Sequence, residues 1–417
     1  MLWRGKAVRK KTRTSAAKCW GVSLCDTQSV LSDRLFTPRF FVMCGFSFTV
    51  FLSAFQLLPT APFHIIDLGG STFASGLFLG FLTYSSAFSA PLTGAFVDRT
   101  GQRRVLITTS LALAMFSVAY AVISDYRVVL ALVLVHGVFW SGLLSASAAY
   151  MTSLLPENRR AEGIGYWGLS TLGAIAVAPT VGFWIYRTGG WLWLCLGAMA
   201  LNLGMAAIAA TLPEHQFLAE RSAPRRRGLV EGRVLVLSIT LSLYSFGYGG
   251  ITSFTAMYAD INGVTPKSLY LTALAIVMLF TRPVLARLGD KYGYKRVFIP
   301  CLILISCGLA CLAFGGTRSW MLLSALIFGL GFGTAYPSYI GYVMRHVTPD
   351  RRGAAFGAVL AAFDSGIGTG STAMGWVIQH HGFRSAFGVA AALSALALPY
   401  FLIIDRRFAE TSSDLRA

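Results

Sequence analysis

Apolar residues in this chain fall in long runs separated by short polar connections. The runs lie at residues 40–64, 72–95, 105–123, 127–151, 163–187 and 190–211, then at 233–258, 268–287, 297–315, 319–344, 354–377 and 383–404. Each is close to or above the roughly 20 apolar residues that carry a helix across a hydrocarbon core. The runs are too long for barrel strands and do not alternate in polarity. The pattern predicts an all-α integral membrane protein with twelve transmembrane helices.

The same pattern occurs twice. At an offset of 192 residues, Asp98 matches Asp290, Gly101 matches Gly293, and Arg104 matches Arg296. Tyr150 matches Tyr342, Arg159 and Arg160 match Arg351 and Arg352, and Gly190 matches Gly382. Charges are scarce here, so charged pairs in equivalent connections mark a duplication. Two six-helix halves are expected, at 39–211 and 233–404. A basic linker at 212–232 joins them, and tails at 1–38 and 405–417 flank them. Two parallel six-helix halves are a transporter architecture.

Charge then orients the helices. Of the 35 lysines and arginines, 29 lie in the tails and alternate connections on one side, five lie on the other, and Arg282 is inside a run. The excess of positive charge predicts that both termini and the linker are cytoplasmic, and a cell inner membrane is the expected location. It also accounts for the net charge of +18 through lipid headgroups, without nucleic acid. Only 12% of residues are charged, against about 25% in a soluble domain. The seven cysteines form no CxxC pair and read as small packing residues. No HExxH or GxSxG occurs, so no cofactor, metal or enzymatic nucleophile is expected. Residues 1–38 are basic and lack a secretory cleavage pattern. A disordered cytoplasmic tail is expected there, although an organelle transit peptide shares the composition. A monomer is expected.

Between the second and third runs stands Gly94-Ala95-Phe96-Val97-Asp98-Arg99-Thr100-Gly101-Gln102-Arg103-Arg104. Between the eighth and ninth stands Ala286-Arg287-Leu288-Gly289-Asp290-Lys291-Tyr292-Gly293-Tyr294-Lys295-Arg296. Here the chain resembles the major facilitator superfamily, whose signature in this connection is G-x-x-x-D-[RK]-x-G-x-[RK]-[RK]. The first copy is complete, and the second has Ala286 for the leading glycine. The resemblance spans residues from about 38 to 405. It implies a secondary transporter working by alternating access on a small solute. It also implies a gate made of Gly94, Asp98, Arg99, Gly101, Arg103, Arg104, Asp290, Lys291, Gly293 and Arg296. In that gate Asp98 would face the eleventh span near Gly353, and Asp290 the fifth span near Gly163. A carboxylate is favoured by the positive end of a facing helix. Gly94 would allow close helix approach, and Gly101 a tight turn. Arg103 and Arg104 are expected at the lipid headgroups.

The fifth run contains Gly173-Ala174-Ile175-Ala176-Val177-Ala178-Pro179-Thr180-Val181-Gly182. It is similar to the G-x-x-x-G-P-x-x-G pattern of facilitator exporters, with Ala178 in place of a glycine. The resemblance favours proton-coupled export and tight packing against the other half. A departure lies in the fourth run. Many proton-driven relatives carry an Arg where this chain has Val133, and a Gln where it has His136.

Ionisable residues deep in a span are functional candidates by default. Asp364 lies near the middle of the eleventh run and His136 near the middle of the fourth. They are the candidates for proton coupling. Asp364 is too short to reach an interface, whereas Arg282 lies near enough to the cytoplasmic end to snorkel. Gln56, Tyr244, Tyr248, Tyr336 and Tyr339 are the candidates for a central cavity, where rings suit amphipathic or aromatic solutes. Uptake of a sugar, acid or siderophore-like solute with a proton is the alternative within transport. A receptor or scaffold would be expected to carry a folded cytoplasmic domain. The gate motif generates one expectation: Asp98→Ala inserts normally yet transports poorly, and Asp290→Ala is affected more mildly. Transport rates compared at equal expression check it, and a wild-type rate in Asp98→Ala refutes the gate.

Overall fold

A computed structural model describes residues 35–156, 159–214, 232–347 and 352–414. Expectations for residues 1–34, 215–231 and 415–417, and for the Asp290 side chain, lie outside the described residues. The first half contains α1 (Pro38–Leu57), α2 (Ala61–Asp67), α3 (Thr72–Thr100), α4 (Gln102–Val122), α5 (Tyr126–Leu154) and α6 (Arg160–Thr211). The second contains α7 (Gly232–Ile261), α8 (Leu269–Tyr292), α9 (Tyr294–Phe314), α10 (Arg318–His346) and α11 (Arg352–Asp414). The described residues form no strand. Nine helical stretches among them are long and apolar enough to cross a membrane, and α8 adds a shorter apolar segment, Leu269–Arg282. Most backbone groups of the spans are then satisfied within each helix, as a lipid environment demands.

The helix limits follow local chemistry. Thr37, Ser71 and Thr317 cap α1, α3 and α10 by accepting from the amides of Phe40, Ala74 and Trp320, and Asp125 caps α5 by accepting from Arg127. Pro59 lies in the break between α1 and α2, where its missing N–H ends the ladder. α6 and α11 each bend sharply at one glycine with positive φ, Gly190 at 74° and Gly382 at 80°. Gly101 and Gly293 turn the chain on the opposite side, with φ of 95° and 90°. A side chain at any of these four would be strained. Both pairs stand 192 residues apart, so the duplication seen in sequence is repeated in backbone conformation.

The side carrying Gly101 and Gly293 is called here the basic side, and the side carrying Gly190 and Gly382 the far side. On the basic side each half is clipped by the same elements. Tyr150 donates to the carbonyl of Pro213 at 3.1 Å, and Arg103 to that of Ala210 at 2.7 Å. Arg104 pairs with Glu214 at 3.0 Å. At the repeat-related places, Tyr342 and Lys295 both bond the buried carboxylate of Asp405. Arg103 and Arg104 were expected at lipid headgroups; the structure gives them partners on α6 and just beyond it.

The halves meet along two seams, α3 with α11 and α6 with α8. A Cβ on Gly76 would fall on the carbonyl of Ser371, and one on Gly80 on the hydroxyl of Thr372. Ser371 donates to the carbonyl of Gly76 at 2.7 Å, Tyr84 and Thr369 bond at 2.7 Å, and Phe73 donates to Gln379 at 3.1 Å. In the other seam Thr180 bonds Ser268 at 2.9 Å and Thr272 at 3.0 Å. These contacts lie toward the far side. Toward the basic side, Cβ positions on Gly94, Gly165 and Gly357 meet nothing within 4 Å. The close approach expected at Gly94 is therefore not made in this arrangement, and the hydrogen bonds named above join the halves toward the far side. The small residues of the fifth run divide their contacts. Thr180 reaches the other half, whereas Gly182 packs on Gln56 of α1 and Gly173 faces Phe48. Tight packing of that whole pattern against the other half is not what the structure contains.

Within the second half, Gly370 lets α11 lie directly on α7, because its Cβ would fall on the carbonyl of Phe246. Backbone cannot give way as a side-chain tip can. Gly370→Leu is expected to lose most of the monodisperse protein on detergent extraction, with an overpacking cost of about 1–3 kcal/mol or more. Gly45→Leu, where nothing lies within 4 Å, is expected to elute as the wild type does. Size-exclusion profiles of fluorescent fusions check both.

Candidate functional site

Arg282 and Asp364 are the two charged residues more than one helical turn inside any apolar run, and both belong to the second half. Arg282 lies on α8, ten residues beyond the Thr272 contact, or about 15 Å along the helix toward the basic side. Its Nε donates to the carbonyl of Gly333 on α10 at 3.4 Å. Its Nη1 lies 3.1 Å from where a Cβ on Gly168 of α6 would stand, so the guanidinium spans the division between the halves. Snorkelling to the cytoplasmic edge was the expectation for this residue. The observed hydrogen bond instead holds it inward against α10.

Asp364 lies on α11 beside Phe363, whose ring packs against Tyr336 with centroids 4.7 Å apart. Tyr336 is within electrostatic reach of both Asp364 and Arg282, and Tyr248 of Arg282. Among the described residues neither charge has a salt-bridge partner. The backbone that presents Asp364 is pinned to α7. Ser242 donates to the carbonyl of Ala362 at 2.6 Å, and Ser245 to that of Phe363 at 2.9 Å. Gly366 permits this, since any Cβ there would strike Ser242 and Ser245.

An aromatic wall surrounds these charges. Tyr248 stacks on Phe332 at 4.4 Å, and Phe332 lies 6.0 Å from Phe363. Tyr248 and Tyr336 are half-buried and keep exposed surface. Tyr244 and Tyr339 do not. Tyr244 is enclosed by Phe298, Phe332 and Phe363, and Tyr339 is bonded to Ser238 at 2.9 Å and packed on Phe298. Both are fully buried and act from within the second half. Gln56 is buried at 2% exposure, with its Oε1 unpartnered and its backbone against Gly182. Of the five side chains expected along a cavity, Tyr248 and Tyr336 are the ones that share a site with the charges.

His136 is not brought to Asp364. Its Nδ1 bonds the hydroxyl of Tyr120 at 2.9 Å, and its ring stacks on Phe116 at 5.1 Å. Trp191 donates to the carbonyl of Tyr120 at 2.8 Å. His136 also borders an enclosed cavity of about 20 Å³ inside the first half, together with Ser53, Ser117 and Asn202. Those three form a chain of 3.0 Å hydrogen bonds. That volume is enough for one water molecule. Tyr120, Phe116 and the chain from Ser53 to Asn202 escaped the sequence reading because nothing in a one-dimensional pattern ties them to His136.

In the gate motif, Asp98 and Arg99 are exposed, and Lys291 lies over the Tyr292 ring at 5.1 Å. Gly293 turns the chain into α9, and Arg296 is exposed. Of the motif cations, Arg103 and Arg104 are the ones with bonds to the end of α6.

Comparison with known proteins bears directly on this arrangement. The family model of the Major Facilitator Superfamily matches residues 40–270 and 237–417. The chain is 24% identical over 369 residues to the uncharacterized MFS-type transporter YhhS of Escherichia coli K12, covering 85% of this chain and 89% of that one. It is 25% identical over 363 residues to the YhhS protein of Salmonella paratyphi C, with the same coverage. Among solved structures, the nucleoside transporter NupG superposes with a TM-score of 0.68 at 17% identity, over 88% of this chain and 99% of that one. The human organic anion transporter MFSD10 gives 0.65 at 16%, over 88% and 100%. A variant of the peptide transporter POT in complex with sulfate gives 0.72 at 14%, over 93% and 99%. At these identities the structural likeness shows the fold. The duplicated turns, the two seams and a family match over both halves lead to one conclusion: the chain belongs to the Major Facilitator Superfamily and is a multi-pass membrane transporter, not an enzyme.

Proposed function

We propose that the protein moves a small solute across a bacterial inner membrane by alternating access, as a monomer of two six-helix halves at 39–211 and 233–404. Counting α6 and α11 twice, because each bends at a glycine, and adding Leu269–Arg282 to the nine long stretches gives twelve crossings. The excess of basic residues on the side of Gly101 and Gly293 supports cytoplasmic termini. In this orientation the cleft opens to the cytoplasm. One observation carries the reading: two charges deep within apolar runs, with no salt-bridge partner among the described residues, flank Tyr336 where the second half faces the first. Charge at that depth is costly and marks a solute or ion path.

Proton coupling is assigned to Asp364. With no salt-bridge partner among the described residues, its charge is uncompensated, and binding a proton removes that cost. Its backbone is held rigidly by Ser242 and Ser245, so the group that titrates is presented at a fixed position. His136, the second candidate, already has Tyr120 as partner and is set aside as a relay within the first half. The gate residues around Asp98 and Asp290 would close the basic side in the alternate state, where Gly94 would make the approach it lacks here.

The small-residue and proline pattern at Gly173 to Gly182 supports export driven by inward proton flow. Uptake of a solute together with a proton is favoured by a different observation. Arg282 and Asp364 occupy the same cleft, where a solute and a proton can be held at once. Deletion of the gene separates the two readings. Export predicts greater cellular retention of the substrate in the deletant, and lower retention makes the protein an importer. Asp364→Asn tests the coupling. It mimics the protonated acid, so proteoliposomes are expected to lose accumulation driven by a pH gradient while keeping solute exchange. Wild-type accumulation with the pH gradient as sole energy source removes Asp364 from the coupling step.

A further inference from the structure

The guanidinium of Arg282 has more donors than the structure gives it partners. Arginine carries five N–H donors in a planar fork and keeps its charge in proteins. Here Nε is used by Gly333, and no carboxylate of the described residues lies within ion-pair distance. The fork faces the division between the halves, opposite a glycine of α6 that leaves it room. A charge at such depth that is neither snorkelled nor paired is a binding group waiting for its counter-charge.

What surrounds it narrows the partner. Tyr248 and Tyr336 keep exposed surface, and each is braced from behind, Tyr248 by Phe332 and Tyr336 by Phe363. Such a wall suits a ring or a flat apolar body. A sugar would need an array of hydrogen-bonding groups for its hydroxyls, which two tyrosines and one guanidinium do not provide. A cationic solute would be repelled by Arg282, and Asp364, the acid assigned to the proton, offers no counter-charge to it once protonated.

We propose that the transported solute is an organic anion with an aromatic or flat apolar body. Its acidic group is bound by Arg282, and its body lies against Tyr248 and Tyr336. This rests on the transport reading above and adds the substrate class. Gly168 is a specificity position, because it sets the space on the open side of the guanidinium.

The test uses purified full-length protein in detergent. Its unfolding midpoint is followed with naphthalene-2-sulfonate, benzoate and phenyl phosphate as anionic probes. The neutral 2-naphthylmethanol and the cationic 2-naphthylmethylammonium serve as controls of similar shape. At least one anion is expected to raise the midpoint with dose, and the controls to do so far less. Arg282→Gln is expected to raise the half-maximal anion concentration by about tenfold or more, with Arg282→Lys in between, since a lysine keeps the charge and loses the fork. Gly168→Leu, which leaves the charge and fills the space, is expected to weaken the same response and stands as the test if Arg282→Gln does not fold. Stabilisation by none of the anions overturns the proposal. So does equal stabilisation by the cationic control, or a wild-type response in both Arg282→Gln and Gly168→Leu. Proteoliposomes loaded with the stabilising anion keep the two readings apart. Binding without movement removes the transport reading and leaves the anion site, whereas solute movement without anion preference does the reverse.

Discussion

Everything in this molecule depends on two helices from different halves touching backbone to backbone. Lipid supplies no hydrophobic force between helices, so association rests on close packing and on polar bonds across the contact. α3 and α11 obtain both where Gly76 and Gly80 meet Ser371 and Thr372, with the Ser371 hydroxyl spent on the Gly76 carbonyl. That contact fixes how the halves stand. It holds the halves together toward the far side, with Arg282 and Asp364 further along the second half toward the basic side. Each half is meanwhile clipped at its basic edge by a tyrosine, Tyr150 to the carbonyl of Pro213 just past α6 and Tyr342 to Asp405 of α11.

Much of this architecture was legible in sequence, because lipid imposes a simple rule on composition. Runs of apolar residues marked the helical stretches, and the 192-residue offset paired Gly190 with Gly382, which the structure finds in one conformation. Side-chain partnerships were less visible. Arg103 and Arg104 look like topology signals in sequence, yet they find a carbonyl and Glu214, because α6 ends beside them in space. Arg282 reads as a snorkelling residue by its distance from the helix end, and only the packing of α8 on α10 turns it inward. Tyr339 and Tyr248 are alike in one dimension; helix rotation buries the first and leaves the second at the cleft.

The two halves share a backbone plan and divide the chemistry unequally. The residues at the repeat-related positions of Arg282 and Asp364 are Ala90 and Leu172, and that of His136 is Phe328. After duplication, one half kept a closed polar network among Ser53, Ser117 and Asn202, with His136 bound to Tyr120. The other carries the half-buried charges Arg282 and Asp364. The charged residues deep within the apolar runs therefore belong to one half alone, while the polar network of the other is closed on itself.

The glycine elbows at Gly190 and Gly382 reach beyond helix geometry. Each joins two long arms through a single non-helical residue, and the remaining far-side connections, such as residues 123–125 and 315–317, are also short. The compartment on that side therefore meets a nearly bare plane of helix ends, with little chain for a protease to thread into its active site and few protruding loops for an antibody or a phage tail to grip. A protein built this way offers little on that side for another macromolecule to hold.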